Sequence, residues 1–361
     1  MRVKTNIYIP IILIAITLLG CSKRRASIAA LCELDTRNDY VLKWEIYPEP
    51  GNTASMDVFS SDNDSVFPAT ATKIVKAEDY TTAIKDSIKS KRLFFKLKTD
   101  NTVSGVITNR FFNLDSIHNF RDVGGYFTND GYQIRWGKIF RSGTFSRMTK
   151  RDESEIDKLG IRTILDMRSA DSKKEFPRSF LETKNYVRIP IGHDGFEFIS
   201  SKIIEDRFFR GDAIIFTQDN YRDFVDDYTE QYASFFDYLT DEANYPIVFN
   251  CYLGKDQSGM ATYLLLKALD VPTETAEEDY MLSNVGVKKA LFTHWADDLS
   301  ESKQEVVVMM SNTDLAYLRY GLSCIRKKYG SVDDYITNEL RMTPDRRSKL
   351  RQILLYKEPQ K

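Results

Sequence analysis

One cysteine of this 361-residue chain stands where a nucleophile can be made. Cys251 follows a short apolar run, residues 246–250, and precedes Gly254 and an apolar helical pattern that begins at Ser258. Backbone N–H groups that converge at the N-terminus of a helix bind phosphate. The same position lowers the pKa of a cysteine, and the thiolate is the nucleophilic form. The order strand, cysteine, glycine turn and helix therefore predicts a thiolate that attacks a phosphate ester.

Residues 251–259, here called the cysteine loop, supply the other groups that this chemistry needs. Lys255 adds a positive charge near the sulfur, and Asp256 can protonate the leaving oxygen or activate water. Ser258 can hydrogen-bond the thiolate or assist the second step. The predicted phosphate-binding residues of the loop are Tyr252, Leu253, Gly254, Lys255, Gln257, Ser258 and Gly259.

Two other active-site motifs are excluded by residue type. A nucleotide-binding P-loop would need glycine at 249 and Ser or Thr at 256, where this chain has Phe249 and Asp256. A papain-like site lacks its local signature around Cys251. The chain has three histidines, none at metal-ligand spacing: His118, His193 and His294. Because the predicted mechanism uses a covalent cysteine, we expect neither a metal nor an organic cofactor.

The elements that must position the loop alternate between helix and strand from residue 113 onward. Residues 149–152 form a capping-box pattern that opens a helix, and Gly160 suits its end. Strand patterns follow at residues 161–167, 186–191 and 246–250. A set of large apolar residues falls at helical spacing and predicts core packing: Tyr221, Phe224, Tyr228, Tyr232, Phe235 and Leu239. This alternation predicts an α/β domain over residues 113–361, with helices around a mostly parallel sheet.

The preceding segment, residues 30–112, has a different pattern. Residues 40–47 alternate between the two faces of a strand, and turn clusters follow at 48–52 and 60–64. The pattern predicts a small all-β sandwich, immunoglobulin- or fibronectin-like. It carries no plausible catalytic cluster, and we interpret it as a spacer or interaction module.

The N-terminus is typical of an export signal. Arg2 and Lys4 precede an apolar run at residues 7–19, which is short for a transmembrane helix. Leu-Leu-Gly-Cys21 resembles the bacterial lipobox. It implies a signal peptide over residues 1–20, a lipid on Cys21 that binds the membrane, and a tether over 21–29. An uncleaved anchor, or an ordinary signal with a chance cysteine, is the alternative. Ser22 favours a lipid-anchored protein of the cell envelope, in the outer membrane of a Gram-negative bacterium.

Overall charge argues against a nucleic-acid partner. The chain has 51 basic and 52 acidic residues, so it generates no strong field of one sign. With Cys21 lipidated, Cys32, Cys251 and Cys324 remain, and such an odd, sparse set argues against a disulfide framework.

Residues 245–269 resemble a bacterial protein-tyrosine-phosphatase group whose loop is His-Cys-x-x-Gly-Lys-Asp-Arg-Thr-Gly. The resemblance extends from residue 113 to the C-terminus through four further motifs, at residues 119–125 (Asn-Phe-Arg-Asp-Val-Gly-Gly), 140–143, 165–169 and 279–284. It implies a phosphocysteine intermediate, with Cys251 as nucleophile, Asp256 as acid and Lys255 as a phosphate or inositol-phosphate contact. It also implies supporting residues at the rim of the site or behind the loop: Asn119, Arg121, Asp122, Asp166 and Arg168. For Arg121, Asp166 and Arg168, salt bridges that hold the loop are the alternative.

Two loop residues depart from the group's pattern. Asn250 replaces its histidine, and Gln257 replaces the arginine that clamps phosphate. A carboxamide has no charge and lacks the guanidinium fork. Two charge-assisted hydrogen bonds contribute about 3–6 kcal/mol, so their loss slows turnover by about 10²–10⁴. We expect a phosphate-monoester hydrolase that Gln257 impairs.

Two alternatives stay open. The chain is a catalytically inactive phospho-ligand-binding lipoprotein, a pseudophosphatase, or its sandwich carries an interaction function and the α/β domain is scaffold. Phosphotyrosine, phosphoserine, phosphoinositides and small phosphate esters all remain candidate ligands, since the region between Gly192 and Asn220 has no readable specificity code.

Overall fold

The computed structural model describes residues 26–49, 54–86, 92–172, 175–192 and 196–358. The predicted signal peptide and Cys21 lie outside these residues, and so does His193. Within the described ranges, no helix combines the length and the apolar character that crossing a membrane requires.

The first part of the chain forms two three-stranded antiparallel sheets. Its strands are β1 (Ser27–Leu34), β2 (Tyr40–Tyr47), β3 (Ser55–Ser61), β4 (Lys73–Lys76), β5 (Thr81–Ile84) and β6 (Phe94–Lys98), with a 3₁₀ turn at Ala77–Asp79. The sheet orders are β1-β2-β5 and β4-β3-β6. Leu42 and Trp44 of one sheet and Met56, Val58 and Phe95 of the other are buried in one shared cluster. The sandwich classification of this all-β unit stays a prediction.

A five-stranded sheet organises the rest of the described chain. Its strands are β7 (Arg121–Asp122), β8 (Ile139–Ser142), β9 (Thr163–Asp166), β10 (Asn185–Arg188) and β11 (Ile247–Asn250), in the order β10-β9-β11-β8-β7. Four strands are parallel, but β7 runs antiparallel to β8. The sheet is therefore mixed: its four parallel strands agree with the predicted mostly parallel sheet, and β7 adds an antiparallel edge that was not predicted. The chain between β7 and β8 contains no crossover helix, and without a crossover neighbouring strands pair antiparallel.

Thirteen α-helical segments surround this sheet within the described residues. They are α1 (Lys150–Asp157), α2 (Arg178–Leu181), α3 (Phe196–Ile204), α4 (Arg210–Asp226), α5 (Thr229–Leu239), α6 (Gln257–Ala268), α7 (Thr273–Met281), α8 (Ser283–Gly286), α9 (Lys289–Thr293), α10 (Glu301–Ser311), α11 (Leu315–Tyr329), α12 (Val332–Asp334) and α13 (Pro344–Leu354). Short 3₁₀ turns lie at Glu242–Asn244 and His294–Ala296, and a π turn at Tyr335–Glu339. The predicted capping box of α1 is confirmed, because Thr149 and Asp152 exchange side-chain bonds with each other's backbone N–H.

The predicted aromatic stripe lies in the core, but it spans two helices. Tyr221 and Phe224 belong to α4, whereas Tyr232, Phe235 and Leu239 belong to α5 and are fully buried. The helical structure is interrupted between α4 and α5 at Tyr228, which is half-buried. These residues share one apolar cluster with α6, the helix that follows the cysteine loop.

Three further helices lie over the cysteine loop, and we call α3, α4 and α10 the covering helices. Ile199, Ile203 and Ala213 pack in one cluster with Val307 and with Leu253 of the loop. In the region whose specificity the sequence left open, the described residues 196–220 thus supply much of the cover above the loop.

Candidate active site

The cysteine loop connects the central strand β11 to the N-terminus of α6. Cys251 is 1% exposed. Gly254 has a φ of +69°, and a Cβ there would lie 2.5 Å from the carbonyl carbon and oxygen of Ser142. Its own carbonyl oxygen accepts from Asn119 Nδ2 at 2.6 Å and from Arg141 Nη2 at 2.7 Å. The loop lies so close to the end of β8 that only glycine fits at this turn.

The Cys251 thiol sits in an environment of opposing effects. Burial raises its pKa, and the negative charge of Asp256 acts in the same direction. The hydroxyl and backbone N–H of Ser258, and the charge of Arg141, lower the pKa and stabilise the thiolate. The pKa of the thiol is raised on balance, because burial is the largest of these effects, and this differs from the expected lowering. Lys255, predicted to contribute, has its Nζ 2.7 Å from Asp256 Oδ2 instead.

Asp256 is the most open carboxylate beside the cysteine, with its side chain 26% exposed. Its Oδ1 accepts from Lys255 Nζ at 2.9 Å and from the Tyr221 hydroxyl at 3.1 Å. The Tyr221 hydroxyl lies 2.6 Å from that of Tyr280. The predicted acid is thus held by one donor from the loop and one from α4.

Gln257 begins α6 and is 9% exposed. Its Nε2 donates to the carbonyl oxygen of Ile191 at 3.2 Å, which ties the segment after β10 to the start of the helix. The backbone carbonyl oxygen of Gln257 accepts from the Tyr232 hydroxyl at 3.4 Å. The side chain therefore has a structural contact, and it brings no charge to the loop.

A buried ion cluster centred on Asp279 of α7 supports the loop from behind. Its carboxylate accepts from Arg141 Nη1 at 2.8 Å, from Arg121 Nε and Nη2 at 3.2 Å each, and from the Tyr126 hydroxyl at 2.9 Å. Arg121, Arg141 and Asp279 are fully buried. Burial alone would raise the pKa of Asp279, but the two guanidinium groups hold it well below its ordinary value. Arg121 also bonds Asn119 Oδ1, so cluster and loop form one network.

A second buried pair lies where β9 ends. Arg168 contacts Asp166 through Nε at 2.9 Å and Nη2 at 2.7 Å, and it lies over the Phe176 ring. Asn250, the residue directly before Cys251, also donates through Nδ2 to Asp166 Oδ1 at 3.2 Å. This contact gives Asn250, which replaces the group's histidine, a definite role in anchoring the end of β11.

The predicted supporting residues do not all lie at the site. Asn119 and Arg121 lie behind the loop, whereas Asp122 contacts Gly124 N and Gly137 N at 2.7 Å and Arg92 of the all-β unit at 2.5 Å. Asp122 therefore joins the two parts of the chain, which corrects its placement near the loop. Successive residues of a strand point to opposite faces, so Arg121 and Asp122 cannot both face the loop.

Three site residues were not among those predicted: Arg141, Asp279 and Tyr221. Arg141 and Asp279 lie in motifs that the sequence analysis singled out. The signal of Arg141 was a charge at the end of an apolar run, whereas Asp279 follows two other acidic residues and had no signal beyond its motif. Tyr221 carried no such signal, because it is one of several aromatic residues in the core pattern.

Comparison with known proteins identifies the family of this chain. A family model described as the tyrosine phosphatase family matches residues 112–356, more than half of the chain, and the chain therefore belongs to that family. A Cupriavidus necator protein provisionally named as a tyrosine-protein phosphatase is 28% identical over 231 residues, 63% of this chain and 82% of that protein. The triple specificity protein phosphatase PtpB of Mycobacterium tuberculosis is 25% identical over 195 residues, 47% of this chain and 67% of that protein.

The chain also aligns with solved structures. One of them is the core catalytic domain of the PP-IP phosphatase SIW14 from S. cerevisiae in complex with citrate, with a TM-score of 0.31 and 15% identity over 55% of this chain and 88% of that chain.

Proposed function

We propose that this member of the tyrosine phosphatase family hydrolyses phosphate monoesters through a phosphocysteine on Cys251, at a rate that Gln257 lowers. One observation carries the proposal. Cys251 lies between the end of β11 and the N-terminus of α6, in a turn that Gly254 closes and that buried donors hold in place. That arrangement directs backbone N–H groups and the helix dipole at a bound phosphate.

The proposed reaction has two steps. The Cys251 thiolate attacks phosphorus, the ester P–O bond breaks, and Asp256 transfers its proton to the leaving oxygen. Asp256, now ionised, takes a proton from a water molecule that attacks the phosphocysteine. The S–P bond breaks, phosphate leaves, and the thiolate is restored. Ser258, whose backbone N–H and hydroxyl both act to lower the pKa of the Cys251 thiol, assists the departure of the thiolate.

Gln257 leaves the shape of the loop intact but supplies no positive charge to the phosphate during this reaction. Its Nε2 is engaged by the Ile191 carbonyl, and a carboxamide offers no bidentate, charged contact to phosphate oxygens. Arg141 carries charge near the loop, but it is committed to Asp279 and to the Gly254 carbonyl. We therefore expect binding of phosphate to survive better than turnover. A pseudophosphatase is the second candidate, and the neutral Gln257 is the observation that favours it.

Hydrolysis of para-nitrophenyl phosphate by the purified full-length protein in mild detergent tests both candidates. The native protein is compared with Cys251→Ser and Gln257→Arg, and tungstate binding is measured on each by calorimetry. Slow turnover that Cys251→Ser abolishes and Gln257→Arg accelerates supports the impaired enzyme. Tungstate binding with no turnover in the native protein supports the pseudophosphatase. If neither binding nor turnover occurs, even with Gln257→Arg, both candidates are wrong.

We further propose that the chain is exported and lipid-anchored at Cys21 in the outer membrane of a Gram-negative bacterium, as its Leu-Leu-Gly-Cys segment suggests. Residues 21–29 then act as the tether and residues 30–112 as a spacer between the membrane and the α/β domain. Incorporation of labelled palmitate by the native chain, and its loss in Cys21→Ser, is the expected result. Equal labelling of the two would refute the anchor.

A further inference from the structure

We propose that Tyr221 is a positioning residue for Asp256, which its hydroxyl orients toward the leaving group of the substrate. This inference rests on the proposed function, because it assigns a task to the acid of that reaction. It adds a residue from α4, thirty-five positions before Asp256 in the chain and outside the cysteine loop.

The geometry identifies a hydrogen-bonded chain of three groups. The Tyr221 hydroxyl donates to Asp256 Oδ1 at 3.1 Å and lies 2.6 Å from the Tyr280 hydroxyl, which itself approaches the carbonyl oxygen of Asp314 at 3.4 Å. Both tyrosine side chains are almost fully buried. Burial raises the pKa of each well above its ordinary value, so both hydroxyls keep their protons as donors. Hydrogen bonds in such a chain strengthen one another.

Two donors on different elements limit the rotation of the Asp256 carboxyl. Lys255 reaches Oδ2 at 2.7 Å and Oδ1 at 2.9 Å, whereas Tyr221 reaches Oδ1 alone. Lys255 can move with the loop, whereas Tyr221 is anchored in α4, so the hydroxyl fixes the direction in which the Asp256 carboxyl group points. Correct placement of such a group matters as much as its presence.

Tyr221 itself is held rigidly enough for this task. Its ring packs on Phe224 at 5.1 Å and stacks on Tyr317 of α11 at 6.3 Å between ring centroids. The first half of α4 contributes Ala213 to the cluster that covers Leu253. The same helix thus covers the loop and orients its acid, which couples the position of a covering helix to proton transfer.

Esters with different leaving groups separate this task from a packing role. Phenolate needs a proton to leave, whereas para-nitrophenolate is stable without one. We expect Tyr221→Phe to lower kcat/KM for phenyl phosphate, which reports the step that releases the leaving group, by about tenfold or more, a part of the 10²–10⁴ that general acids contribute. Its kcat/KM for para-nitrophenyl phosphate should stay within about threefold. Asp256→Asn should show the same selectivity, and the double variant should lose little more than Asp256→Asn alone.

Tyr245→Phe is the matched control, because it removes a buried hydroxyl of the same apolar cluster that bonds the Leu239 carbonyl at 2.6 Å. It should affect both esters equally. Equal losses on the two esters in Tyr221→Phe would overturn the proposal while leaving the phosphatase function in place. All variants are also made with Gln257→Arg to raise the signal. If no Cys251-dependent hydrolysis of either ester then appears, the proposed function fails, and this inference fails with it.

Discussion

Replacing Asp279 by asparagine tests whether the buried ion cluster holds the cysteine loop in place. The carboxylate is fully buried, and it is an ion-pair partner of both Arg121 and Arg141. Asparagine keeps the shape and the contact to the Tyr126 hydroxyl, but it leaves two buried guanidinium groups without a counter-charge. Arg141 is also a donor to the Gly254 carbonyl, so the loop loses the fixed position of one of its two anchors.

The expected cost follows from the contacts. At an effective dielectric constant of about 20, two unit charges about 4 Å apart attract by about 4 kcal/mol, and Asp279 has two such partners. Removing the carboxylate also removes its desolvation penalty of several kcal/mol, and measured losses for breaking one partner of a buried pair are about 3–5 kcal/mol. With an m-value of about 3 kcal/mol/M, the urea midpoint falls by about 1–1.7 M.

Urea unfolding followed by tryptophan fluorescence measures this loss. Glu277→Gln is the control, because Glu277 lies on the same helix and pairs with Arg319 at 2.7 Å, but Arg319 is largely exposed. Water screens such a pair, so we expect a several-fold smaller shift there. If Asp279→Asn costs no more than Glu277→Gln, the cluster does not support the loop and the reasoning is wrong.

Three further outcomes follow from the contacts described above. The pKa of Asp279 is depressed in the folded protein, so its contribution to the free energy of unfolding is present above the ordinary aspartate pKa of about 3.9 and is lost as pH falls through the folded value. As pH falls below 4, the urea midpoint should therefore decrease less in Asp279→Asn than in the native chain. Arg92→Leu should cost about 3 kcal/mol or more in urea unfolding, because it leaves Asp122 buried without its cation; a loss below about 1 kcal/mol would show that the all-β unit is only loosely joined. Gly254→Ala should weaken tungstate binding at least tenfold, because its Cβ would clash with Ser142. Gly160 has a φ of +64° but open space at Cβ, so Gly160→Ala should lower only the free energy of unfolding, by roughly 1–2 kcal/mol for a left-handed residue, and leave binding unchanged. Equal effects of the two glycine changes on binding would contradict the tight turn at residue 254.

The sequence predicted those parts of the site whose determinants are local. Strand β11, the turn at Gly254 and helix α6 lie within one continuous segment, and their apolar and glycine patterns are sufficient to place them. The capping box of α1 was predicted for the same reason, because its two partners are three residues apart.

Contacts between distant segments could not be predicted in this way. Asp122 was placed near the loop, yet its partner Arg92 belongs to the all-β unit, and no periodicity links the two residues. Tyr221 was interpreted as core, which is correct for its ring but omits its hydroxyl. The orientation of β7 was missed because a two-residue strand has no detectable pattern and its pairing depends on the connection that follows.

The contacts that shape the cysteine loop explain how the chain can carry glutamine at position 257. The loop is anchored by Asn119 and Arg141 at Gly254, and the end of β11 by the contact of Asn250 with Asp166. None of these contacts uses the side chain at 257, and Gln257 adds one of its own to Ile191. In the proposed function, glutamine in place of the group's arginine therefore removes charge from the phosphate site without removing what shapes it. A shaped but undercharged loop should recover activity when Gln257→Arg restores the charge, whereas a loop that had lost its shape would not.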